Sequence, residues 1–380
     1  MFEVSIEPRW SLRLPTGEAL AGRTMALLLA VAEQGSLLRA CAVVGISYRH
    51  GWTLIREGEA LLGIPLLLME RGKGSRLSPL AETLVWADRR IAARLSPTLD
   101  TLASELEAEI GRVQREHDRL LRIRASHGFA VETLHQWLNR AGVLNELRYC
   151  SSSDAVAALA LGNCDLAGFH VPGGEFEREV LDHYRAWLQP AKQRVIGLAT
   201  RRVGLIVARG DTKKVFGIDD LARGDLRFIN RQPGSGTRLL LDLLLRKAGI
   251  QPGQVNGYEQ CELTHAAVAA YVASGMADVG LGVETPARRF NLDFVPLQTE
   301  RYFLLCDQRR LGDPLLGQML HTLRSPQFHA SIDQLPGYQA GHCGQVFELD
   351  QAFPGLLGRG VPRGGAKPRP RGRRESTGAG

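Results

Sequence analysis

Residues 35–79 constrain this chain more than any other stretch, because few folds join such helix caps, apolar stripes and a basic glycine turn. Gly35-Ser36 leads into Leu37, Leu38, Ala40, Cys41 and Val44, and Gly45 follows. Ser36 supplies an N-cap and Gly45 a left-handed stop, so the stretch reads as one short helix. Ser47 then caps a second helix that carries Tyr48, Arg49, His50 and Trp52 in its first turns and continues through Ile55, Leu61 and Leu62. Two short helices across a glycine turn make a helix-turn-helix. The polar and basic residues stand at the start of the second helix, where such proteins touch base edges. Residues 66–71, Gly72-Lys73-Gly74 and Ser75-Arg76-Leu77 then read as a hairpin with a basic tip, a wing. Arg71, Lys73 and Arg76 suit phosphate contact, which needs charge more than fixed geometry, and Ser75 is a further DNA-binding candidate beside them. A helix pair alone is common; with a basic start and a basic wing it reads as a double-stranded-DNA-binding head.

A chain of 380 residues calls for two or three domains. The net charge of +7 sits mostly in the tail, where residues 356–380 hold Arg359, Arg363, Lys367, Arg369, Arg371, Arg373 and Arg374 against Glu375. The folded body is therefore nearly neutral. Residues 355–380 are rich in Gly, Pro and Arg and are expected to be disordered. The six cysteines are scattered, with no C-x-x-C pair and no metal-ligand spacing. They read as reduced thiols of a cytoplasmic protein. The opening residues, with Glu3 and Glu7, do not resemble an export signal. The apolar run 25–32 is too short to span a membrane, so no membrane partner is expected.

Ahead of the head, residues 4–14 alternate like a leading strand, and residues 23–34 read as its first helix. Pro79 can start a helix carrying Leu80, Leu84, Ala87 and Ile91, with a break and restart at Ser96-Pro97. Leu99, Leu102, Leu106, Ile110, Val113, His117 and Leu120 follow at steps of three and four, a coiled-coil-like seam for a homodimer; packing on its own domain is the plainer alternative. The expected domains are a winged helix-turn-helix head (1–95), a linker helix (96–119) and an α/β domain (120–348). The last alternates strands and helices and divides into two lobes, about 120–197 with 296–348, and about 198–295. A bend is expected at 200–202, and separate returning strands at 294–297 and 302–305.

Within the α/β part a strand, a Ser or Thr and a helix recur four times: at Ser126-His127, Ser152-Ser153, Ser235-Gly236-Thr237 and Thr264-His265. A helix N-terminus offers free N–H groups and partial positive charge to an anion. Hydroxyls add donors, and Gly234 and Gly236 allow close backbone approach. Ser and Thr are also ordinary caps, so one such start carries little weight. The run 230–238 exceeds what a cap needs: Asn230 and Arg231 precede the glycines and Arg238 follows. It lacks the lysine of a P-loop. Arg231 and Arg238 can fork onto an anion or sit at the lobe surface. With His170 in the third strand, these residues are candidates for an oxyanion cage, in which the histidines serve as hydrogen-bonding groups. No covalent cofactor and no metal site is expected.

Residues 23 to about 95 resemble the winged head of ModE-type molybdate-responsive regulators, which is similar to LysR-type heads. The resemblance rests on Gly35-Ser36, Ser47-Tyr48, Trp52, Gly63-Ile64-Pro65-Leu66, Arg71-Gly72-Lys73-Gly74-Ser75 and Leu77-Ser78. Residues 120–348 resemble the periplasmic-binding-protein-like domain of molybdate-related regulators and molybdopterin-biosynthesis proteins. There the carrying residues are Asp165-Leu166-Ala167-Gly168-Phe169-His170, the run 230–238, Thr264-His265-Ala266-Ala267-Val268, Gly275-Met276-Ala277-Asp278-Val279-Gly280 and Leu335-Pro336-Gly337-Tyr338. The resemblance implies a transcriptional regulator sensing molybdate, tungstate or a molybdenum-cofactor precursor. The alternatives are an oxyanion-delivery protein, which would need no DNA-binding head, and a molybdopterin-assembly enzyme. Against an enzyme, the chain lacks H-E-x-x-H and G-x-S-x-G.

Overall fold

The computed structural model describes residues 3–70, 74–114, 120–210 and 213–354. The head is built from α1 (Gly22–Gln34), α2 (Leu37–Val44), α3 (Tyr48–Leu62) and the hairpin β1 (Leu67–Glu70) and β2 (Gly74–Leu77), and it runs into α4 (Pro79–Gln114). Its core gathers Leu27, Leu28, Val31, Leu37, Cys41 and Ile55 with Leu84 and Val85 of α4. Gly45 ends α2 at φ 72°, which a side chain would strain. The hairpin pairs Leu67 with Leu77, and Glu59 Oε1 accepts the Leu66 N–H at 2.9 Å, tying the wing to α3. The wing tip with Arg71 and Lys73, His117 of the expected seam, and the tail 355–380 lie outside the described residues.

The expected leading strand is not formed; a lone bridge joins Arg13 to Ala19. The segment instead runs extended beside α4. The Trp10 indole donates to Asp88 Oδ1 and the Val4 N–H to Glu107 Oε1, both at 2.8 Å. Nor does α4 break at Pro97. Proline removes one helix hydrogen bond, the one to the Ala93 carbonyl. The Thr264 hydroxyl donates to that carbonyl at 2.9 Å in its place. The linker therefore begins at Pro79, inside the head core, and runs about 54 Å.

Two faces of α4 have different fates. Ala103, Ser104, Glu107 and Ala108 are buried, and the Ser104 hydroxyl accepts the Leu147 N–H at 2.7 Å. Leu95, Leu102, Leu106 and Val113 remain exposed. Internal packing thus uses the small and polar face; of the expected seam, Leu102, Leu106 and Val113 stay uncovered, whereas Leu99, Ile110 and Leu120 are half-buried.

The α/β part follows as β3 (Leu121–Ala125), α5 (Phe129–Arg140), β4 (Asn145–Tyr149), α6 (Ser152–Ala160), β5 (Leu166–Pro172), α7 (Glu177–Tyr184) and β6 (Gln193–Val207). Then come β7 (Phe228–Arg231), α8 (Gly236–Lys247), β8 (Cys261–Glu262), α9 (His265–Ala273), β9 (Val279–Val283), α10 (Glu284–Arg289) and β10 (Asp293–Asp307). The sheet runs β4-β3-β5-β10-β6-β9-β7-β8. Its β3–β5 end forms one lobe and its β7–β9 end the other. Between them β6 and β10 pair antiparallel, from Gln193 with Asp307 to Val207 with Asp293. The bend expected at 200–202 is absent, and the two expected returning strands are one. Arg201 suggests a turn, yet its side chain points inward to Glu300 while Arg202 points outward, the alternation of a strand. Two helices, Pro314–Arg324 and Pro326–Asp333, return to the first lobe, where Phe328 meets Trp137 edge to face. Among the described residues no helix is long and apolar enough to cross a membrane.

The crossing of α2 and α3 is close. A Cβ at Gly51 would stand 2.3 Å from Cys41 Sγ. Gly51→Ala is expected to destabilise the head by about 1–3 kcal/mol through overpacking, and Cys41→Ala in the same chain should recover most of the loss. Thermal denaturation of the single and double variants measures that coupling.

Candidate functional site: a donor-lined cavity beneath the linker helix

A cavity of about 180 Å³ lies where the two lobes face each other. Much of the lining derives from places where a strand ends and a helix begins. The first lobe contributes Ser126 and His127 before α5, Tyr149, Cys150, Ser151 and Ser152 around the start of α6, and His170 from β5. The crossing strand β6 contributes Arg201. The second lobe contributes Arg231 and Gln232, then Ser235, Gly236 and Thr237 at the start of α8, and Leu263 and His265 at the start of α9. The linker helix α4 closes the cavity with Arg94, Pro97 and Thr98.

The caps are close to those expected, with local shifts. Ser151, not Ser152, caps α6 by accepting the Asp154 N–H at 3.1 Å. Ser235 caps α8 and Thr264 caps α9. Ser126 precedes the Gly128 cap of α5, and its Oγ lies 3.1 Å from His170 Nδ1. The Ser152 hydroxyl donates to Ser126 Oγ at 3.5 Å.

Charge dominates the centre. Arg201, buried to 3% exposure, donates from Nε to Glu300 Oε2 at 2.9 Å. Its Nη1 is buried without a partner. Arg231, at 7% exposure, donates from Nη2 to the Leu263 carbonyl at 2.8 Å, while its Nε has no partner. No carboxylate pairs with Arg231 among the described residues, and no Asp or Glu lines the cavity. His170 Nε2 and His265 Nδ1 are likewise buried without partners. His170 is held flat against Tyr302, ring centroids 3.8 Å apart.

Burial, then the Arg231 charge, holds the His127 imidazole down to about 4. Burial and the two arginines hold His170 and His265 well below the ordinary imidazole range. Burial and Arg201 push Arg231 down to about 9, against the opposing pull of Glu300. Near neutral pH the cavity thus presents two guanidinium cations and three neutral imidazoles. Burial raises the Cys150 thiol to about 11, so it supplies no thiolate nucleophile. Among the described residues no group of His, Cys, Asp and Glu is arranged to hold a metal ion.

Several sequence candidates are placed elsewhere. Asn230 is buried in structural bonds, donating to the Tyr258 carbonyl at 3.0 Å and accepting the Arg231 N–H at 2.8 Å. Arg238 stacks 3.7 Å over the Tyr258 ring and donates to the Tyr258 carbonyl at 3.0 Å. It opens with Ser153 and Gly234 on an adjoining groove between α6, α7 and α8. The Thr264 hydroxyl is engaged by Ala93. Sequence reasoning missed Arg201 and Arg94. Arg201 is a charge between strand-like apolar runs, a signal that was read as a bend.

In the head, Ser47, Tyr48, Arg49 and His50 are exposed at the start of α3, and Ser47 Oγ accepts the His50 N–H at 3.2 Å. Trp52 is half-buried, stacked with Tyr48 (6.5 Å) and with the Arg56 guanidinium 5.0 Å from its ring. Arg56, one helical turn beyond Trp52, joins this ladder without having been singled out. Ser36 is half-buried and caps α2 without a side-chain bond. On the wing Arg76 is exposed, but Ser75 is buried, which corrects its expected place at a DNA surface.

The profile of the PBP superfamily domain matches residues 132–324. The chain belongs to this superfamily. The match covers the crossing strands and the second lobe and begins after Ser126 and His127. Among curated relatives, the uncharacterised protein YvgK of Bacillus subtilis (strain 168) is 32% identical over 199 residues, 52% of this chain and 64% of its own length. The uncharacterised HTH-type transcriptional regulator Rv2282c of Mycobacterium tuberculosis is 26% identical over 171 residues, 42% of this chain and 52% of its own. The molybdenum transport protein ModE of Azotobacter vinelandii is 29% identical over 129 residues, 33% of this chain and 46% of its own. The chain spans less than two thirds of the length of each of these three.

The lowered imidazoles of this PBP superfamily domain make its stability depend on pH. An unfolded imidazole titrates near 6.5, whereas His127 titrates near 4 in the fold. The unfolded chain therefore takes up the proton first as pH falls, and stability is lost between about 6.5 and 4. His127 alone accounts for roughly 3 kcal/mol across that window. Denaturant unfolding at pH 7 and pH 4.5 should show this loss, and His127→Asn should reduce it.

Proposed function

We propose that the chain is a DNA-binding transcriptional regulator that senses a small oxyanion, molybdate or tungstate, between the lobes of its PBP superfamily domain. One observation carries the sensing half. Arg201 Nη1, Arg231 Nε, His170 Nε2 and His265 Nδ1 are buried without partners on residues that line one cavity free of carboxylates. Buried polar groups are ordinarily satisfied, so such a set calls for a ligand that accepts from all of them. An oxyanion has the acceptors and the charge. The volume of about 180 Å³ favours a simple ion over a pterin-bearing precursor, since pockets for larger organic ligands run to roughly 300–1,000 Å³. The name of ModE adds a link to molybdenum and that of Rv2282c a link to transcription.

The winged head supports the other half. The exposed first turn of α3 suits the major groove, with Tyr48 and Arg49 at base edges and Arg76 at a phosphate. Lys73 is assigned to a phosphate on sequence alone. A homodimer and a cytoplasmic location belong to the same reading. The exposed Leu95, Leu102, Leu106 and Val113 repeat at coiled-coil spacing, and every cysteine is a free thiol. The chain acts as a sensor and not as an enzyme in this reading, with its imidazoles serving as neutral donors.

Titration calorimetry of the full chain with molybdate, tungstate and sulfate tests the sensor. Arg231→Gln should weaken molybdate binding about 10-fold or more, the loss of a hydrogen-bonded charge. Arg238→Ala should change it less than about threefold, because Arg238 lies outside the cavity. Equal losses in the two variants, or no binding of any oxyanion by the native chain, defeats the assignment.

Selection of duplexes from a random pool tests the head. A near-palindromic sequence should emerge. Arg49→Ala should relax one base position by ~1–3 kcal/mol, and Arg76→Ala should weaken all duplexes alike and lower the salt slope by about one. A pool without a shared sequence contradicts the reading.

A further inference from the structure

The linker helix does more than connect. Three contacts hold it at Pro97, and they reach both lobes. From the second lobe, Glu262 of β8 is buried to 1% exposure and takes a fork from Arg94, Nε at 2.6 Å and Nη2 at 2.5 Å. One residue beyond Leu263, the Thr264 hydroxyl donates to the Ala93 carbonyl, the acceptor that Pro97 leaves free. From the first lobe, His127 Nε2 lies 3.3 Å from Ser96 Oγ and 3.9 Å from Asp100 Oδ2. Between these contacts Arg94, Pro97 and Thr98 form a wall of the anion cavity. A movement of either lobe about its ligand must therefore pull on this joint.

We propose that the Pro97 joint of α4 transmits occupancy of the cavity to the winged head. The inference rests on the oxyanion reading of the cavity and adds to it the route by which the anion acts. Each contact suits the role. The Arg94–Glu262 fork is directional and joins a half-exposed residue of the helix to a buried residue of the lobe. The Ala93–Thr264 bond joins the helix to the cap of α9, whose first residue, His265, lines the cavity. The head is fixed to the same helix, because Leu84 and Val85 lie in its core and Trp10 bonds Asp88. Further contacts follow the helix toward the joint: Trp86 packs on Phe290, and Arg90 reaches the Tyr271 ring and the Ser274 hydroxyl of the second lobe. Rotation of that lobe therefore turns α4 and the head together. A ligand shifts such an equilibrium only by its unequal affinity for the two states, so the effect has a measurable size.

The experiment uses the full-chain protein, its selected duplex and molybdate as probe. Duplex affinity is measured without molybdate and at saturating molybdate, and the ratio is the coupling factor. At saturation a variant's own anion affinity drops out of that ratio. The native chain should give a factor of about 5 or more, as coupled sites usually do. In Glu262→Gln/Pro97→Ala the fork loses its charge, and the returned N–H of residue 97 competes for the Ala93 carbonyl. The factor should then fall at least threefold. Glu262→Gln alone, which preserves shape and a hydrogen bond, should move it in the same direction and serves if the pair fails to fold. A factor unchanged within twofold in these variants overturns the proposal. So does native duplex affinity indifferent to bound molybdate, a result that leaves the anion site standing. If the native chain binds no molybdate, the oxyanion reading falls and the transmission proposal falls with it.

Discussion

The buried, unpaired charge of Arg231 is the constraint around which the two-lobed domain is organised. Removing a guanidinium from water costs several kcal/mol unless a partner compensates it. Arg201, the other buried arginine of the cavity, has such a partner in Glu300 across the long strand pair. Arg231 has one backbone carbonyl and an idle Nε. Three imidazoles that could add to the positive charge are instead kept neutral by the same burial. A domain selected for stability alone would bury a hydrocarbon here. On the proposed reading the arrangement becomes favourable when an anion enters, because each orphaned donor then gains its bond and the cation its counter-charge.

That charge can be held in place because the two lobes share their central strands. Residues in β6 and β10 belong to both lobes, so Arg201 and Glu300 are fixed in a surface that neither lobe carries away. Arg231, by contrast, stands at the end of β7 in the second lobe, and His170 at the far side in the first. An anion bound as proposed, touching all three, would span the cleft. Outside the cleft, Glu175 with Lys247 and Glu179 with Arg246 join the region of α7 to α8. These exposed pairs contribute little individually. They nevertheless show that the two lobes touch along the outer rim.

Much of this was legible in the chain, and the failures have physical causes. Helix starts are local: a Ser or Thr followed by an apolar period sets a cap within a residue or so, and the starts of α6, α8 and α9 fell where the spacing placed them. The head was legible for the same reason. What sequence could not convey was pairing at a distance. Arg201 looked like a turn because its partner Glu300 is 99 residues away. Pro97 looked like a helix break because Thr264, which satisfies the freed Ala93 carbonyl, is 171 residues from Ala93. Arg238 looked like an anion-binding residue because nothing local announced that it would stack over Tyr258. In each case a local rule was overruled by a tertiary partner that satisfied the group the rule assumed would stay bare.

The linker helix shows how one element serves two surfaces. Its stripe of Leu95, Leu102, Leu106 and Val113 follows steps of seven, four and seven, the spacing of a helix that meets another helix. Its opposite face is small: Ala103, Ser104, Ala108 and Gly111. A Cβ at Gly111 would come within 2.4 Å of Leu144, so the backbone lies close against the two-lobed domain there. Small residues allow that approach, and Ser104 and Thr101 then cap N–H groups of β4 that would otherwise be bare at the sheet edge. Because the two faces do not overlap, packing on the two-lobed domain leaves Leu95, Leu102 and Leu106 exposed. A helix held by its own two-lobed domain at Pro97 and exposed along its leucine face leaves that face open to a second copy, so on the proposed reading sensing and pairing need not compete.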